Sequence, residues 1–362
     1  MAPDAWVYLA AFLSSAALCF VLTPLVRRFA DRRQILDQPG GHKGHAVAVP
    51  YLGGIAIAVA FAVAVLSAGV VYRPPGGLTE LAVILGLALA LAVIGLVDDL
   101  RGLGLVFRII AEVGAGIVLW AVGSGVNLTG LPAADAVITV LWVLGITNAF
   151  NLLDNMDGLS AGVAAIAAGG FFVIAAINGQ YLVAALGAAL AGVAVGFLWH
   201  NFHPAKIYMG DAGSLFFGFL LAALGIRLRF DGPTSITFFV PITVLGVAIL
   251  DTTLVTSTRL LNRRSPFSGG RDHTSHRLVM VGVPVPYAVS LIYAAAVAHA
   301  WLALVISRVD VTTGFMLMAF VILADLFFGV LLAQVPVYET SRRRHLMLQE
   351  VRGHEPERET RS

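Results

Sequence analysis

The chain has 362 residues, of which 59% are hydrophobic and 12% are charged, and its mean hydropathy is +0.88. Soluble globular domains contain about 25% charged residues, so this composition excludes that class and predicts a polytopic membrane protein. The formal net charge is only +2, and no nucleic-acid partner is expected.

Apolar runs long enough to cross a bilayer as a helix, about 17 to 25 residues, recur along the chain. They predict eleven spans, at residues 5–26, 51–72, 81–97, 106–122, 136–152, 159–177, 182–200, 213–229, 236–258, 285–306 and 312–335. The fifth is the weakest of these, because its end runs into Asn148 and Asn151. The predicted fold is therefore all-α, with one transmembrane domain at residues 1–335 and a basic tail at residues 336–362.

The basic residues are distributed unequally between the segments that connect these spans. Nineteen of the 23 Lys and Arg residues lie in alternate connections and in the tail, and only Arg73, Arg227, Arg229 and Arg308 lie in the others. Because Lys and Arg accumulate on the cytoplasmic side of membrane proteins, we expect the N-terminus outside and the tail in the cytoplasm. An odd number of spans agrees with this orientation.

Polar clusters occupy the connections expected in the cytoplasm, at residues 27–50, 98–105, 148–158, 201–212 and 259–284. Ionisable side chains beside a span are costly to keep near lipid, so each is a functional hypothesis. The aspartates of these clusters are Asp98, Asp99, Asp154, Asp157 and Asp211. The basic candidates are Lys43, Arg271, His273 and His276.

The five aspartates would repel one another if they converged on one face of the membrane. Two carboxylates about 5 Å apart repel by about 3 kcal/mol at an effective dielectric constant of about 20, so they must protonate, separate or bind a cation. Mg²⁺ is the natural candidate, with Mn²⁺ as the alternative, because it binds carboxylates together with substrate phosphates. The basic side chains suit the remaining phosphate charge. The residues alone therefore predict a cytoplasmic site for phosphate and metal.

Four ordered motifs carry a family resemblance: VDDLRGL at 97–103, NAFNLLDNMDGL at 148–159, FLWHNFHPAKIYMGDAGSL at 197–215 and HTSH at 273–276. Together they resemble the polyprenyl-phosphate N-acetylhexosamine 1-phosphate transferases. This superfamily includes phospho-MurNAc-pentapeptide translocase and the bacterial undecaprenyl-phosphate GlcNAc-1-phosphate transferases. The resemblance implies transfer of a sugar 1-phosphate from a UDP-sugar to a polyprenyl phosphate such as undecaprenyl phosphate, with release of UMP. It places the protein in the bacterial cell membrane, at the first membrane step of cell-envelope polysaccharide synthesis.

The resemblance also implies roles for individual residues. Asp98 and Asp99 match an aspartate pair that handles the metal or the lipid phosphate, and Asp211 matches a metal-binding aspartate. The residues implied at the nucleotide and diphosphate are Asn148, Asn151, Asp154, Asp157 and Asn201. Those expected to contact phosphate are Lys43, Arg271, His273 and His276, the two histidines being counted with the catalytic group.

Two positions depart from the motifs of this superfamily. Asn155 stands where the motif usually has Gly, and Ser275 interrupts what is often a contiguous run of histidines. The second departure favours UDP-GlcNAc, or a related UDP-N-acetylhexosamine, over UDP-MurNAc-pentapeptide as the donor. The pentapeptide transferase is the alternative function, and a cation-coupled transporter, which would carry carboxylates near the membrane midplane, is a remote one. A homodimer is the candidate assembly.

Other polar residues in the spans have structural interpretations beside functional ones. Asn148 and Asn151 could serve as hydrogen-bonding groups between helices. Glu112 follows Arg108 by four residues, which predicts an ion pair on one helix face. Asp251 and Asp325 lie within expected spans, and the sequence leaves their roles open.

Overall fold

The computed structural model describes residues 5–37, 48–71, 78–230 and 234–338. These residues are almost entirely helical. The helices are α1 (Ala5–Arg33), α2 (Gly53–Val71), α3 (Leu78–Arg101), α4 (Leu105–Leu119), α5 (Pro132–Leu153), α6 (Leu159–Ile177), α7 (Tyr181–Asn201), α8 (Gly210–Arg227), α9 (Thr234–Thr237), α10 (Phe239–Val244), α11 (Gly246–Leu261), α12 (Thr274–Met280), α13 (Val285–Ile306) and α14 (Val311–Ala333). A π-helical turn at Trp120–Ser124 extends α4.

Ten helices in the described ranges are long and apolar enough to cross a membrane, namely α1 to α8, α13 and α14. The prediction of an all-α polytopic membrane protein is confirmed at that level. The span expected at residues 236–258 is instead divided into α9, α10 and α11. Pro241 has no N–H group to donate to the carbonyl of Thr237, which accounts for the first interruption. At the second interruption Leu245 has φ −94° and ψ 10°, outside the helical region.

The centre of the bundle is formed by α7 and α8, which are the most buried spans, whereas α14 is the least buried. Two glycines bring α7 against α1. A Cβ atom at Gly192 would lie 2.3 Å from the carbonyl oxygen of Phe12, and one at Gly196 would lie 2.3 Å from that of Ala16. Helices in lipid associate through such close backbone approach. The principal neighbours of α8 are α2, α3 and α5, and α6, α7 and α10 also contact it, so the helix that carries Asp211 is enclosed by other helices.

A short sheet lies at one end of the bundle, where β1 (Leu36–Asp37) pairs antiparallel with β2 (Val49–Pro50). The chain that follows β2 is bonded to the segment before α8, because Tyr208 N donates to Pro50 O (2.8 Å) and Gly53 N donates to Tyr208 O (2.9 Å). The end of the first loop is thereby fixed beside the start of α8. Lys43, which was predicted to contact phosphate, lies outside the described residues.

Candidate functional site

The carboxylate of Asp99, at the end of α3, caps the first turn of α8. Its Oδ1 accepts from Asp211 N (3.0 Å) and its Oδ2 accepts from Ala212 N (3.2 Å). Gly210 permits this approach, since it has φ +67° and a Cβ atom there would lie 2.5 Å from Asp99 Oδ2. A carboxylate at a helix N-terminus satisfies free N–H groups and interacts favourably with the helix dipole. Asp99 and Asp211, distant in the sequence, are therefore neighbours.

Asp211 is held by two further side chains from other helices. Its Oδ1 accepts from Asn151 Nδ2 (2.7 Å), and its Oδ2 forms an ion pair with Arg108 at the start of α4. Arg108 Nε also lies 3.3 Å from Asp98 Oδ2. The structure thus brings together four predicted site residues, Asp98, Asp99, Asn151 and Asp211. The sequence analysis did not count Arg108 among the site residues, although a cation in the first turn of the helix that follows two aspartates was a usable signal.

The predicted ion pair between Arg108 and Glu112 is wrong. Arg108 reaches the carboxylates of α3 and α8, while the fully buried Glu112 accepts from Asn148 Nδ2 with its Oε2. Glu112 Oε1 has no hydrogen-bond partner among the described residues. Asn148 also donates to Leu144 O (2.9 Å). In the described contacts Asn148 therefore links α4 to α5, which agrees with the hydrogen-bonding role between helices considered for it. Asn151, one turn later, bonds to the carboxylate of Asp211.

Asp154 follows α5 and is half-buried beside the same cluster. Its carboxylate makes no side-chain hydrogen bond to any residue in the described ranges. Burial, together with the negative charges of Asp211, Asp99 and Asp157, raises the pKa of Asp154 to about 8. In the protein alone this carboxyl is therefore mostly protonated at neutral pH, and a cation would favour its ionised form.

Asp157 and Asn201 join the segment between α5 and α6 to the segment between α7 and α8. Asp157 Oδ2 lies 2.8 Å from His203 Nδ1 and accepts from Ala205 N (3.0 Å). Asn201, which is 2% exposed, accepts from Gly158 N (3.1 Å) and donates to Ile207 O (2.9 Å). These contacts give both residues a structural task, and their predicted contact with substrate stays a prediction.

His273 lies directly before α12 and is held by Asp251 of α11. Asp251 Oδ2 lies 2.8 Å from His273 Nδ1, and Asp251 Oδ1 accepts from Thr274 N (2.7 Å). Both side chains are buried. An acid that engages Nδ1 fixes the orientation of the ring and leaves Nε2 as its free nitrogen. The sequence left Asp251 without a role, and the structure places it behind a predicted catalytic histidine.

His276 lies one turn after His273, with the ring centroids 5.9 Å apart. Burial and the nearby charges of His273 and Arg271 lower the pKa of His276 to about 4, so its imidazole is neutral at neutral pH. Its Nδ1 is buried without a hydrogen-bond partner among the described residues. The side chain of Arg271 is exposed at the same loop. The two histidines therefore differ in their partners despite their shared motif, since Asp251 engages His273 whereas His276 Nδ1 has no partner among the described residues.

A buried network of an ion pair and hydrogen bonds anchors the loop that carries His273 and His276. Arg259 donates to both oxygens of Asp272 at 2.8 Å, and Tyr338 donates to Oδ2 (2.5 Å). Burial opposes ionisation, but these hydrogen bonds outweigh it and lower the pKa of Asp272 to about 2. Arg277 donates to Asp272 O (2.7 Å) and to Leu332 O at the end of α14 (2.9 Å). The histidine loop is thus anchored to α11 and α14.

Asp325, the other acid left open, lies apart from this site. Its partner is His299 of α13, with Nε2 3.2 Å from a carboxylate oxygen. The His299 ring packs against the interruption between α10 and α11, where a Cβ atom at Gly246 would lie 2.2 Å from His299 Cδ2. This pair joins α13 to α14 within the spans.

The side chains of the cluster offer oxygen donors for a divalent cation. Within the described ranges no three His, Cys, Asp or Glu side chains converge as a ready-made metal site. Mg²⁺ does not require one, because it usually takes one or two carboxylates, several waters and substrate phosphates. Burial is the main cause of the raised pKa of Asp154, and the negative charges of Asp211, Asp99 and Asp157 add to it. Asp99 and Asp211 supply hard oxygen donors close together, and such donors fit Mg²⁺ or Mn²⁺.

Comparisons with known proteins identify the family of the chain. Residues 81–229 match the family model described as glycosyl transferase family 4. The chain is 33% identical over 292 residues to the probable undecaprenyl-phosphate N-acetylglucosaminyl 1-phosphate transferase of Bacillus subtilis strain 168, covering 78% of this chain and 80% of that protein. It is 32% identical over 321 residues to the decaprenyl-phosphate N-acetylglucosaminephosphotransferase of Mycolicibacterium smegmatis, with 78% and 77% covered.

A second group of relatives is named for a different activity. The chain is 33% identical over 240 residues to the phospho-N-acetylmuramoyl-pentapeptide-transferase of Bacillus cytotoxicus. That match covers 60% of this chain and 73% of the relative. The similarity to the N-acetylglucosamine group therefore extends over more of the chain than the similarity to this pentapeptide transferase.

Proposed function

The chain belongs to glycosyl transferase family 4, and on this basis we propose that it transfers N-acetylglucosamine 1-phosphate from UDP-GlcNAc to a polyprenyl phosphate, with release of UMP. The proposed acceptor is undecaprenyl phosphate, for which the Bacillus subtilis relative is named. The product would be the lipid-linked sugar that begins a cell-envelope polysaccharide. The active site would lie on the cytoplasmic side of a bacterial cell membrane. The excess of Lys and Arg in the loops that carry the site residues supports this orientation.

One observation carries this proposal: Asp98 and Asp99 at the end of α3 lie beside Asp211 of α8, with Arg108 paired to Asp98 and Asp211 and with Asp99 bonded to the backbone of Asp211. Asn151 is bonded to the same cluster. Polar groups beside spans are costly, and a structural role would not require charged groups from α3, α4 and α8 and an amide from α5 at one place. A cluster that combines carboxylates with a guanidinium suits phosphate and metal together.

The proposed reaction transfers a sugar phosphate from the diphosphate of UDP-GlcNAc to a phosphate monoester, the polyprenyl phosphate. An oxygen of the lipid phosphate attacks the β-phosphorus of UDP-GlcNAc, the new P–O bond forms, and the bond from that phosphorus to the UMP oxygen breaks. Phosphate monoesters have a second pKa of about 6, so the acceptor is already largely ionised at neutral pH. The chain must then align the reactants and neutralise charge more than it must remove a proton.

The residues divide these tasks by position. Arg108 lies among the carboxylates and would pair with phosphate oxygens as the charge shifts toward UMP. His273, oriented by Asp251, and the exposed Arg271 would contact the diphosphate from the loop before α12. Asp154 and Asp157 would line the nucleotide side, and Asp99 fixes the N-terminus of α8 so that Asp211 keeps its place.

Asp99 and Asp211 are the residues that would hold Mg²⁺, with Mn²⁺ as the alternative. When bound, the cation would supply Lewis-acid polarisation of the diphosphate and neutralise its oxygens. Transfer of a phospho-MurNAc-pentapeptide is the second candidate function, favoured by the similarity to the Bacillus cytotoxicus enzyme. The more extensive similarity to N-acetylglucosamine transferases supports UDP-GlcNAc.

The experiment is an assay of purified protein with Mg²⁺, undecaprenyl phosphate and UDP-GlcNAc radiolabelled in the β-phosphate. Transfer of the sugar 1-phosphate carries the label into a chloroform-soluble lipid and releases unlabelled UMP. Transfer of the sugar alone would leave the label in UDP. Parallel reactions with UDP-MurNAc-pentapeptide test the second candidate, and exclusive use of that donor would overturn the proposal.

A further inference from the structure

The two positions that depart from the family motifs are in contact with each other. Ser275 Oγ donates to Asn155 Oδ1 at 2.6 Å, although 120 positions separate the residues in the chain. Asn155 Nδ2 donates to Leu152 O at 2.8 Å, so the amide is engaged through both its oxygen and its nitrogen. Ser275 is 1% exposed, which shields this bond from water. A buried hydrogen bond of this kind is costly to lose, because it leaves a desolvated polar group without a partner.

The two departures are complementary in size and chemistry. Position 155 has gained a side chain where the motif usually has Gly, and position 275 has a small hydroxyl where histidine is usual. The larger group therefore lies on the segment between α5 and α6, and the smaller group lies on α12. The hydrogen bond between Ser275 Oγ and Asn155 Oδ1 joins these two positions directly.

This bond joins the two segments proposed to hold opposite ends of the donor. Asn155 lies between Asp154 and Asp157, which are proposed for the nucleotide side. Ser275 lies between His273 and His276, which are proposed for the diphosphate. The spacing between the two groups of side chains therefore depends on the contact that joins their loops.

The start of α12 is also fixed from its other side. Asp251 accepts from Thr274 N and engages His273 Nδ1, while Ser275 is bonded to Asn155. Three consecutive residues are thus held by α11 and by the segment after α5. On the Asn155 side, Tyr293 OH donates to Gly158 O at 2.6 Å, so that segment is itself tied to α13. Neither loop can shift alone without breaking one of these bonds.

We propose that Asn155 and Ser275 form a positioning pair that sets the spacing between the nucleotide and diphosphate halves of the donor site. The inference rests on the proposed function, because the roles of the two loops come from it. The pair acts through Asp154, Asp157 and the histidines and has no contact of its own with the reacting atoms. The pair is therefore expected to affect binding of the UDP-sugar and not binding of the polyprenyl phosphate.

The test is a double-mutant cycle with Ser275→Ala, Asn155→Ala and the combined variant. Each single change is expected to raise KM for UDP-GlcNAc about fivefold, the effect of one lost hydrogen bond, and to leave KM for undecaprenyl phosphate unchanged. The combined variant is expected to be no worse than either single variant, because both remove the same bond. Ser290→Ala, which removes an exposed hydroxyl on α13, is the matched control and is expected to match the wild type.

A reciprocal exchange sharpens the test. The double variant Asn155→Gly/Ser275→His has the larger side chain at position 275 and the smaller one at position 155. Its KM for UDP-GlcNAc is therefore expected to be lower than that of Ser275→His alone. Additive losses in the cycle, or equal effects on the KM values of both substrates, would overturn the positioning role. All variants are compared with the wild type by thermal melting, which separates a misfolded protein from a misplaced loop.

A second measurement separates this inference from the proposed function. Binding of UDP-GlcNAc is measured by calorimetry without any acceptor lipid. A wild type that binds the donor but makes no lipid product would contradict the proposed transfer, and weaker donor binding by Ser275→Ala would still support the pair. Donor binding that is the same in the wild type and both single variants overturns the pair, as does a wild type that does not bind the donor.

Discussion

The guanidinium of Arg108 forms an ion pair with the carboxylate of Asp211, 103 positions away in the chain. The same guanidinium reaches Asp98 at 3.3 Å, so one cation joins carboxylates that end α3 and begin α8. The pair is largely shielded from solvent, where opposite charges interact more strongly than at an exposed surface. Arg108 therefore holds the carboxylate cluster together in the protein without substrate.

Replacing Arg108 is expected to impair the chemical step. We predict that Arg108→Gln lowers kcat about 100-fold, because loss of one group that stabilises developing charge typically costs that much. Arg101→Gln is the matched control, since Arg101 is exposed at the end of α3. It should retain activity within about twofold. Steady-state kinetics with saturating substrates give both values, and a kcat unchanged in Arg108→Gln would remove this residue from the mechanism.

The carboxylates proposed to hold the metal should be essential. Asp211→Asn and Asp99→Asn are expected to lower transfer by at least about 100-fold while the proteins remain inserted and monodisperse. The reason is that an amide supplies less negative charge to a cation and, at position 99, only one acceptor for two backbone N–H groups. Activity should disappear in EDTA and return with Mg²⁺ or Mn²⁺. Full activity in EDTA, or an active Asp211→Asn enzyme, would show that the mechanism does not use a metal.

Replacement of Asp251 and replacement of Asp325 should have different effects on KM for UDP-GlcNAc. Asp251→Asn is expected to raise KM for UDP-GlcNAc about tenfold, because His273 loses the partner that orients its ring. Asp325→Asn is the matched control, since it also loses an acid bonded to a buried histidine but at a distance from the site. It should retain donor KM within about twofold. Similar donor KM values for the two variants would show that the contact with His273 carries no functional role.

The sequence predicted the class of fold because apolar runs report directly on membrane insertion. It could not predict the interruption at Leu245, since α10 and α11 read as one continuous apolar run in the sequence. Pro241 was a local signal for one break, but prolines also occur inside intact spans, as Pro24 does in α1. Whether such a residue interrupts a helix depends on neighbouring helices, which a single segment does not reveal.

The site was predictable where charge and motif coincided. Asp98, Asp99, Asn151 and Asp211 were all proposed from the sequence, and they lie together in the structure. The partners of buried groups were harder to predict. Arg108 satisfies the spacing rule for a pair with Glu112, yet carboxylates from two other helices offer it a better arrangement. A spacing rule describes one helix alone, whereas these pairings were decided between helices.

The buried network behind the histidine loop should contribute to stability. Asp272→Asn is expected to destabilise the protein by roughly 3 kcal/mol, because it leaves Arg259 buried without its counter-charge. Since the pKa of Asp272 is lowered from 3.8 to about 2, its contribution is complete above the ordinary value and disappears only as the pH falls toward 2. The difference in Tm between wild type and variant should therefore stay constant from about pH 8 to 5.

Thermal melting of the detergent-solubilised protein, followed by tryptophan fluorescence, measures this difference. Asp31→Asn is the control, because its pair with Arg27 is exposed and 3.8 Å long, and such pairs contribute about 0 to 1 kcal/mol. A difference between Asp272→Asn and wild type that grows or vanishes between pH 8 and 5 would mean that another group dominates the network.

The orientation expected from the division of the basic residues can be tested directly. Nineteen Lys and Arg residues belong to the connections and tail that we propose to be cytoplasmic, against four in the others, and Lys and Arg resist translocation across the membrane. A reporter fused after residue 340 is therefore expected in the cytoplasm, and one inserted at Gly125 is expected outside. Alkaline phosphatase, active only outside, and green fluorescent protein, fluorescent only inside, give opposite readings at each point. The same reading at both points would contradict the proposed orientation and the assignment of the site to the cytoplasmic side.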